Sequence, residues 1–283
     1  MSETNQSRQI LLIRCSDHTG LIHSITGLLL EKNCNIVSNH EFVEPIDSIF
    51  FMRTEFFGNI ANEELVRELK KVLPADSWIQ IHKEKKPKVI LFATKESHCL
   101  GDILLRYRFK ELDIEIPFVL SNHRELESLV KDFHIPFHYV GHENISREEH
   151  EKQILSILEK HSFDYIVLAK YMRILSQEFV SHFPEKIINI HHSFLPAFIG
   201  ANPYKQAYDR GVKLIGATAH FVTESLDEGP ILAQDVVAVD HSFTKEKLML
   251  NGRDIEKIVL ARALRYVLEN KVIVWKNKTV VFR

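Results

Sequence analysis

From residue 89 onward the chain alternates short apolar runs with amphipathic stretches, and no other feature limits its fold so strongly. The apolar runs lie at 89–93, 116–120, 137–140 and 165–169, and another begins at 187. Between them, helical periodicity spans 99–112, 124–133, the segment after Ser146 as far as Lys160, and 177–182. Ser146 and Glu149 are spaced as a capping box at the head of the third of these. Strands joined through helices pair in parallel, because a tight turn reverses direction and a crossover preserves it. The pattern predicts a Rossmann-like α/β fold, a mostly parallel open sheet with helices on both faces. Further strands are expected at 216–222 and 231–239, then a helix over 253–269 with Ile255, Ile258, Val259, Tyr266 and Val267 on one stripe. A hairpin, 272–275 with 279–282, closes the chain.

Residues 1–88 read differently. A strand at 9–15 runs into the turn Ser16-Asp17-His18-Thr19-Gly20, which opens a helix carrying Leu21, Ile22, Ile25, Leu28 and Leu29 at helical spacing. Asp17 or Thr19 is placed to cap it. Strands at 35–44 and 48–56, a helix at 61–72 and a strand at 78–82 complete a βαββαβ order, the ferredoxin-like pattern. The charged stretch 83–88, broken by Pro87, marks a boundary, giving domains 1–84 and 85–283.

Chemistry concentrates in 187–196, IINIHHSFLP. Asn189 and His191 are two apart at the end of a strand, so both side chains point to one face, at the sheet edge where open α/β folds place their sites. A later polar loop, 224–230, offers Asp227. An amide, an imidazole and a carboxylate suit acyl chemistry: two donors for a tetrahedral oxyanion, and a carboxylate that keeps the imidazole charged and positions or deprotonates water. Taken singly, each residue is ordinary, a buried polar pair or a turn aspartate; their order on an α/β pattern singles them out. His191, His192, His220 and Asp227 could alternatively hold zinc, but no compact spacing such as HExxH is present.

Asn189-Ile190-His191, Ser193-Phe194-Leu195-Pro196 and Leu226-Asp227-Glu228-Gly229-Pro230 resemble the catalytic signature of the formyltetrahydrofolate-using transferases and hydrolases, and the similarity spans roughly 88–270. The resemblance implies that Asn189, His191 and Asp227 are catalytic. It also implies that Met172, Arg173, Ile174 and Leu175 bind the folate, with the loop around Gly200 as a further substrate contact. His192 stands where many transferase relatives carry proline. The first 75 or so residues resemble an ACT domain through Asp17-His18-Thr19-Gly20-Leu21-Ile22 and Asn33-Cys34-Asn35-Ile36. That likeness implies a regulatory and oligomerisation domain. Its ligand candidates are Asp17, His18, Thr19, Gly20 and Leu21, its plausible effector an amino acid such as methionine or glycine. An ACT domain ahead of this catalytic domain is the arrangement of the family's deformylases. The implied reaction is hydrolysis of 10-formyltetrahydrofolate to tetrahydrofolate and formate, supplying formate for purine biosynthesis and balancing the one-carbon pool, in a homo-oligomer.

The acceptor decides between hydrolase and transferase. The first β–α turn is Thr94-Lys95-Glu96-Ser97-His98-Cys99-Leu100-Gly101. It has neither GxGxxG nor a Walker glycine–lysine pair, which speaks against a nucleotide cofactor, and Glu96 opposes a cradle for a phosphorylated acceptor. A net charge of -2 and the lack of a basic extension speak against a nucleic-acid partner. Three scattered cysteines suggest no disulfide framework or zinc knuckle, and no apolar run nears membrane-span length. Without a signal-peptide core at the N-terminus, the expectation is a cytoplasmic enzyme using water as acceptor, with no cofactor and no metal. A folate sensor without catalysis is the competing class, opposed by the intact trio.

Overall fold

A computed structural model describes residues 7–197 and 203–283; the predicted substrate contact Gly200 lies outside them. The chain divides into two compact units. One reaches to Lys85 and includes Glu269–Trp275 and Val280–Arg283; the other is Lys86–Leu268 with Lys276–Thr279.

In the first unit, β1 (Ser7–Ser16), α1 (Leu21–Glu31), β2 (Asn35–Glu44), β3 (Ile49–Gly58), α2 (Asn62–Val72) and β4 (Trp78–Lys83) follow the expected βαββαβ order. The strands form an antiparallel sheet in the order β2-β3-β1-β4. Alternation along β1 and β3 sends Leu11, Ile13, Phe50 and Met52 toward Ile25 and Leu29 of α1 and Leu65 and Leu69 of α2. Neither Asp17 nor Thr19 caps α1, contrary to expectation. Gly20 takes the N-cap position at φ 96°, and no side chain bonds there. Asp17 instead donates its backbone N–H to the Ser48 carbonyl at 2.8 Å.

The second unit contains β5 (Val89–Ala93), α3 (His98–Arg108), β6 (Val119–Ser121), α4 (Glu127–Asp132), β7 (Phe137–Tyr139), α5 (Arg147–Leu158), β8 (Tyr165–Leu168), α6 (Gln177–Ser181), β9 (Ile187–His191), α7 (Pro203–Arg210), β10 (Leu214–Phe221), β11 (Ile231–Ala238) and α8 (Lys245–Leu268). Its sheet has the order β11-β10-β9-β8-β5-β6-β7. Strands β5 to β9 pair in parallel, while β10 and β11 run antiparallel. The order reverses beside β5, making a switch point where loops part above the sheet. On one face, Ile90, Phe92, Ile166 and Ile187 pack with Ile154 and Leu158 of α5 and Phe179 of α6. On the other, α8 lies along β10 and β11 and against α3. The N-cap predicted at Ser146 is present: its hydroxyl accepts from Glu149 N–H at 3.1 Å. Helix α8 starts at Lys245 rather than 253. Thr244 accepts from Lys247 N–H at 3.3 Å at its head, and Gly252 interrupts the periodicity that the sequence shows. Ile258 is exposed, outside the predicted stripe.

The chain ends in the expected hairpin, β12 (Val272–Trp275) and β13 (Lys278–Val281). Ile273 and Phe282 join Leu12, Ile49 and Phe51 in one core cluster of the first unit. Strand β3 is therefore apolar on both faces: helices cover one, the chain's end the other. The sequence boundary had assigned this end to the second domain. Arg53, 2% exposed, donates to Glu55 Oε1 (2.6 Å) and to the carbonyls of Asn270 (2.9 Å) and Glu269 (3.0 Å). Each N–H on a buried guanidinium needs such a partner.

Candidate active site

Asn189 and His191 lie on β9, and the antiparallel register sets His220 of β10 opposite Asn189 and Thr218 opposite His191. Period-two alternation then puts four polar side chains on one face of two adjacent strands. The β10–β11 connection brings Asp227 to them. Phe221 N–H donates to the Pro230 carbonyl at 2.9 Å, closing the base of the connection. A Cβ at Gly229 would fall 1.8 Å from the Phe221 carbonyl oxygen, so only glycine permits that approach. Asp227 sits at φ 58°, a left-handed conformation uncommon outside glycine.

His191 Nδ1 faces Asp227 Oδ2 at 3.3 Å, and His220 Nε2 faces the other carboxylate oxygen at 3.7 Å. Burial alone would raise the Asp227 carboxyl; the two imidazoles outweigh it and hold the group well below the ordinary carboxylate range. His220 Nδ1 donates to the Phe221 carbonyl at 2.8 Å. Its Nε2 lies 3.3 Å from the Asn189 amide nitrogen. That nitrogen carries two N–H groups, and this contact engages at most one of them. His191 is 6% exposed, and its Nε2 is buried without a partner.

These residues wall a cavity of about 660 Å³. Met172, Ile174 and Leu226 line it, each 57% exposed, and Leu175 and Val222 add to the apolar side. Arg173, the fourth residue of the predicted folate loop, lines it too. That loop is held at both ends. Met172 N–H donates to Thr94 Oγ1 at 2.9 Å. Ser176 gives its N–H to Glu151 Oε1 at 2.8 Å and its hydroxyl to Oε2. The turn after His191 is anchored by buried Thr218, which accepts from Leu195 N–H (3.0 Å) and donates to the Ser193 carbonyl (2.9 Å). Gln234 donates to both Thr218 Oγ1 and the Leu195 carbonyl.

A second polar group lines the same cavity around Glu256 of α8. His98 Nε2 (2.7 Å) and Tyr204 Oη (2.6 Å) bond to its carboxylate, and Lys170 Nζ lies at 3.2 Å. Glu256 is 1% exposed. Burial would raise it, but His98, Lys170 and Tyr204 outweigh burial and bring it down to about 2. His192, beside Lys170, is pushed down to about 4, mainly by burial.

The structure thus brings Asn189, His191 and Asp227 together, with Met172, Arg173, Ile174 and Leu175 on the same cavity. His192 joins them as a wall residue, its ring 5.2 Å from His191 and 6.0 Å from Tyr204. Of the proposed zinc set, His191 and His220 engage different oxygens of one carboxylate. Among the described residues, His98, Cys99 and Glu256 are the trio with ligand atoms within 4.8 Å, and Lys170 opposes a cation there. In the first unit, Asp17, His18, Gly20 and Leu21 line a separate cavity of about 280 Å³ with Phe42 and Val43; Thr19 does not. The sequence reading missed Thr218, Gln234, Thr94, Glu151, Tyr204 and Glu256, and weighed His220 only as a metal ligand. Thr218 and His220 did leave a signal: they are the polar positions, two apart, in an otherwise small and apolar strand.

Asn189, His191 and Asp227 line one mostly apolar cavity at the C-terminal end of β9, and residues 87–264 match the family described as formyl transferase. A formyltetrahydrofolate deformylase of Haemophilus influenzae is 50% identical over 97% of this chain and 99% of its own. The crystal structure of a formyltetrahydrofolate deformylase from Pseudomonas syringae superposes with a TM-score of 0.93 at 39% identity, covering 99% of this chain and 96% of that one. A glycinamide ribonucleotide transformylase from Symbiobacterium toebii, 26% identical, superposes over 71% of this chain and 97% of its own with a TM-score of 0.67. The chain belongs to the formyltetrahydrofolate deformylase family.

Proposed function

We propose that this enzyme hydrolyses 10-formyltetrahydrofolate to tetrahydrofolate and formate at the Asn189–His191–Asp227 centre. The observation that carries the assignment is the unpartnered, buried Nε2 of His191, a residue that lines the cavity and whose Nδ1 faces an ionised Asp227. A buried polar atom without a partner costs roughly 1–3 kcal/mol, a cost that a substrate oxygen would relieve. With Nδ1 held against the Asp227 carboxylate, a protonated His191 donates its Nε2–H to the formyl oxygen. The free Asn189 N–H is a second donor. Water oxygen bonds to the formyl carbon, the negative charge collects on the oxygen facing these donors, and the C–N10 bond breaks as N10 takes a proton. Each preorganised donor of this kind lowers the barrier by roughly 2.7–4 kcal/mol. Asp227 also orients the attacking water. Met172, Ile174 and Leu226 supply an apolar surface for the pterin, with the Met172–Leu175 loop held by the anchors at Thr94 and Glu151.

In the same proposal the first unit is an ACT-like regulatory domain through which copies of the chain assemble, and its 280 Å³ cavity takes an amino acid such as methionine or glycine. The formate feeds purine synthesis. Among the described residues no helix is long and apolar enough to cross a membrane. The test is to incubate chelator-treated enzyme with 10-formyltetrahydrofolate and no acceptor. Equimolar formate and tetrahydrofolate are expected; product only on adding an amine, or only on adding a divalent metal, would contradict the assignment.

A further inference from the structure

We propose that the cluster around Glu256 closes the cavity to a second organic substrate, so that the formyl group meets water and no amine. This rests on the hydrolase assignment above and concerns what makes it exclusive.

A formyl transferase needs, beside its acid–base centre, room and free polar groups for an acceptor. Here the polar groups on that side are committed to one another. Glu256 receives His98 and Tyr204 and lies against Lys170. Glu96 lies 3.7 Å from His98 Nδ1 and 3.3 Å from Arg253 Nε. Lys170, the buried cation on that side, and the buried carboxylate that would hold an ammonium are already paired with each other.

Tyr204 takes up part of the room as well. A Cβ at Gly252 would lie 2.0 Å from Tyr204 Oη and 2.2 Å from its Cζ. The phenol therefore occupies a notch in α8 that exists only because residue 252 has no side chain. Glycine inside a helix costs about 1 kcal/mol relative to alanine, and no positive φ requires it here, so accommodation of Tyr204 is its structural reason. Tyr204 reaches from α7 across to Glu256, one turn further along α8 than the notch, and its ring flanks His192. Lys170, which faces Glu256, is held at φ 63° where β8 leaves the sheet.

The chemistry at stake is a partition. With water, the new bond is C–O, C–N10 breaks, N10 takes a proton, and formate leaves. With a primary amine, the new bond is C–N, the amine loses a proton, N10 gains one, and an N-formyl amine leaves. The same trio serves both, so access decides.

The test measures the partition in the full-length enzyme. Wild type, Tyr204→Ala and Tyr204→Phe are given 10-formyltetrahydrofolate with glycinamide, and separately with glycinamide ribonucleotide. Formate and N-formyl product are quantified together. Wild type and Tyr204→Phe, whose rings both fill the notch, are expected to yield formate alone. Tyr204→Ala is expected to bring the ratio of N-formyl product to formate to at least about tenfold the wild-type detection limit. Tyr204→Leu carries the same comparison if the alanine variant does not fold. An unchanged ratio in the smaller variant, with hydrolysis retained, would overturn the inference and leave the hydrolase assignment standing. A wild type that formylates either amine overturns the inference; one that also releases no formate without an acceptor overturns the assignment itself.

Discussion

Asp227 and Glu256 line one cavity, both carboxylates lie below their ordinary range, and both face histidine, yet they differ in how completely their surroundings are satisfied. Glu256 sits within a helix, 1% exposed, with donors from His98 and Tyr204 and the Lys170 ammonium beside it. Asp227 sits on a loop in a left-handed conformation, and its partner His191 keeps one ring nitrogen buried and unpaired. A completed network has nothing left to offer a substrate, so its value is rigidity and exclusion. An incomplete one stores a donor for a charge that appears only during reaction. The same residue types therefore serve as structure in one place and chemistry in the other, and hydrogen-bond completeness tells them apart.

The largest expected effect separates the two on activity. His191→Ala removes the unpaired donor and should lower kcat by about a thousandfold or more, with the urea unfolding midpoint close to wild type. Asn189→Ala should cost roughly 10²–10³ in kcat with KM little changed, since its free N–H acts on the transition-state oxygen. Glu256→Gln inverts the pattern. Removing the charge from a buried set that includes Lys170 should cost about 3–5 kcal/mol of stability in urea denaturation, while the protein that remains folded still turns over. Glu151→Gln, at the anchor of the Met172–Leu175 loop, should raise KM roughly fivefold through the loss of about one hydrogen bond and leave kcat nearly intact.

A further effect concerns pH. His192 titrates near 4 in the folded protein, far below its ordinary 6.5, so between those values the unfolded chain binds more protons. Its contribution to stability is complete above about 6.5 and is lost as pH falls toward 4, at no more than about 1.4 kcal/mol per pH unit. His150 and His138, also lowered by burial, act in the same direction. Urea midpoints at pH 7 and pH 5 should show the loss, and His192→Phe should shrink it. Glu256 and Asp227 behave differently: folded pKa values below the unfolded ones keep their contribution intact until the solution is more acidic.

Much of this molecule was legible in its sequence because the controlling features are local. The alternation from residue 89 predicts the parallel sheet, and the spacing of Asn189 and His191 on a strand puts both on one face, as β9 does. Asp227 was legible from its turn chemistry together with the resemblance. What escaped depends on which strands become neighbours. His220 and Thr218 gain their roles only when β10 folds back antiparallel on β9. Nothing local sets Glu256 apart from the other charges of its helix, and nothing local to Tyr204 or Gly252 shows that one fills the notch left by the other. The terminal hairpin was read correctly as a hairpin, but its packing on Leu12 and Phe51 is a contact across most of the chain length. Asp17 and Thr19 carry good capping side chains, yet Gly20 sets the start of α1 by its backbone alone.

The most direct test of the account places the two carboxylates in one experiment. Asp227→Asn and Glu256→Gln are each measured for acceptor-free formate release per folded molecule and for urea stability. The account predicts a crossing: Asp227→Asn stays folded, loses less stability than Glu256→Gln and releases formate several orders of magnitude more slowly, whereas Glu256→Gln is markedly destabilised and its folded fraction still hydrolyses. Wild-type turnover by Asp227→Asn would contradict the claim that the incomplete network at His191 and Asp227 is where the formyl group is cleaved.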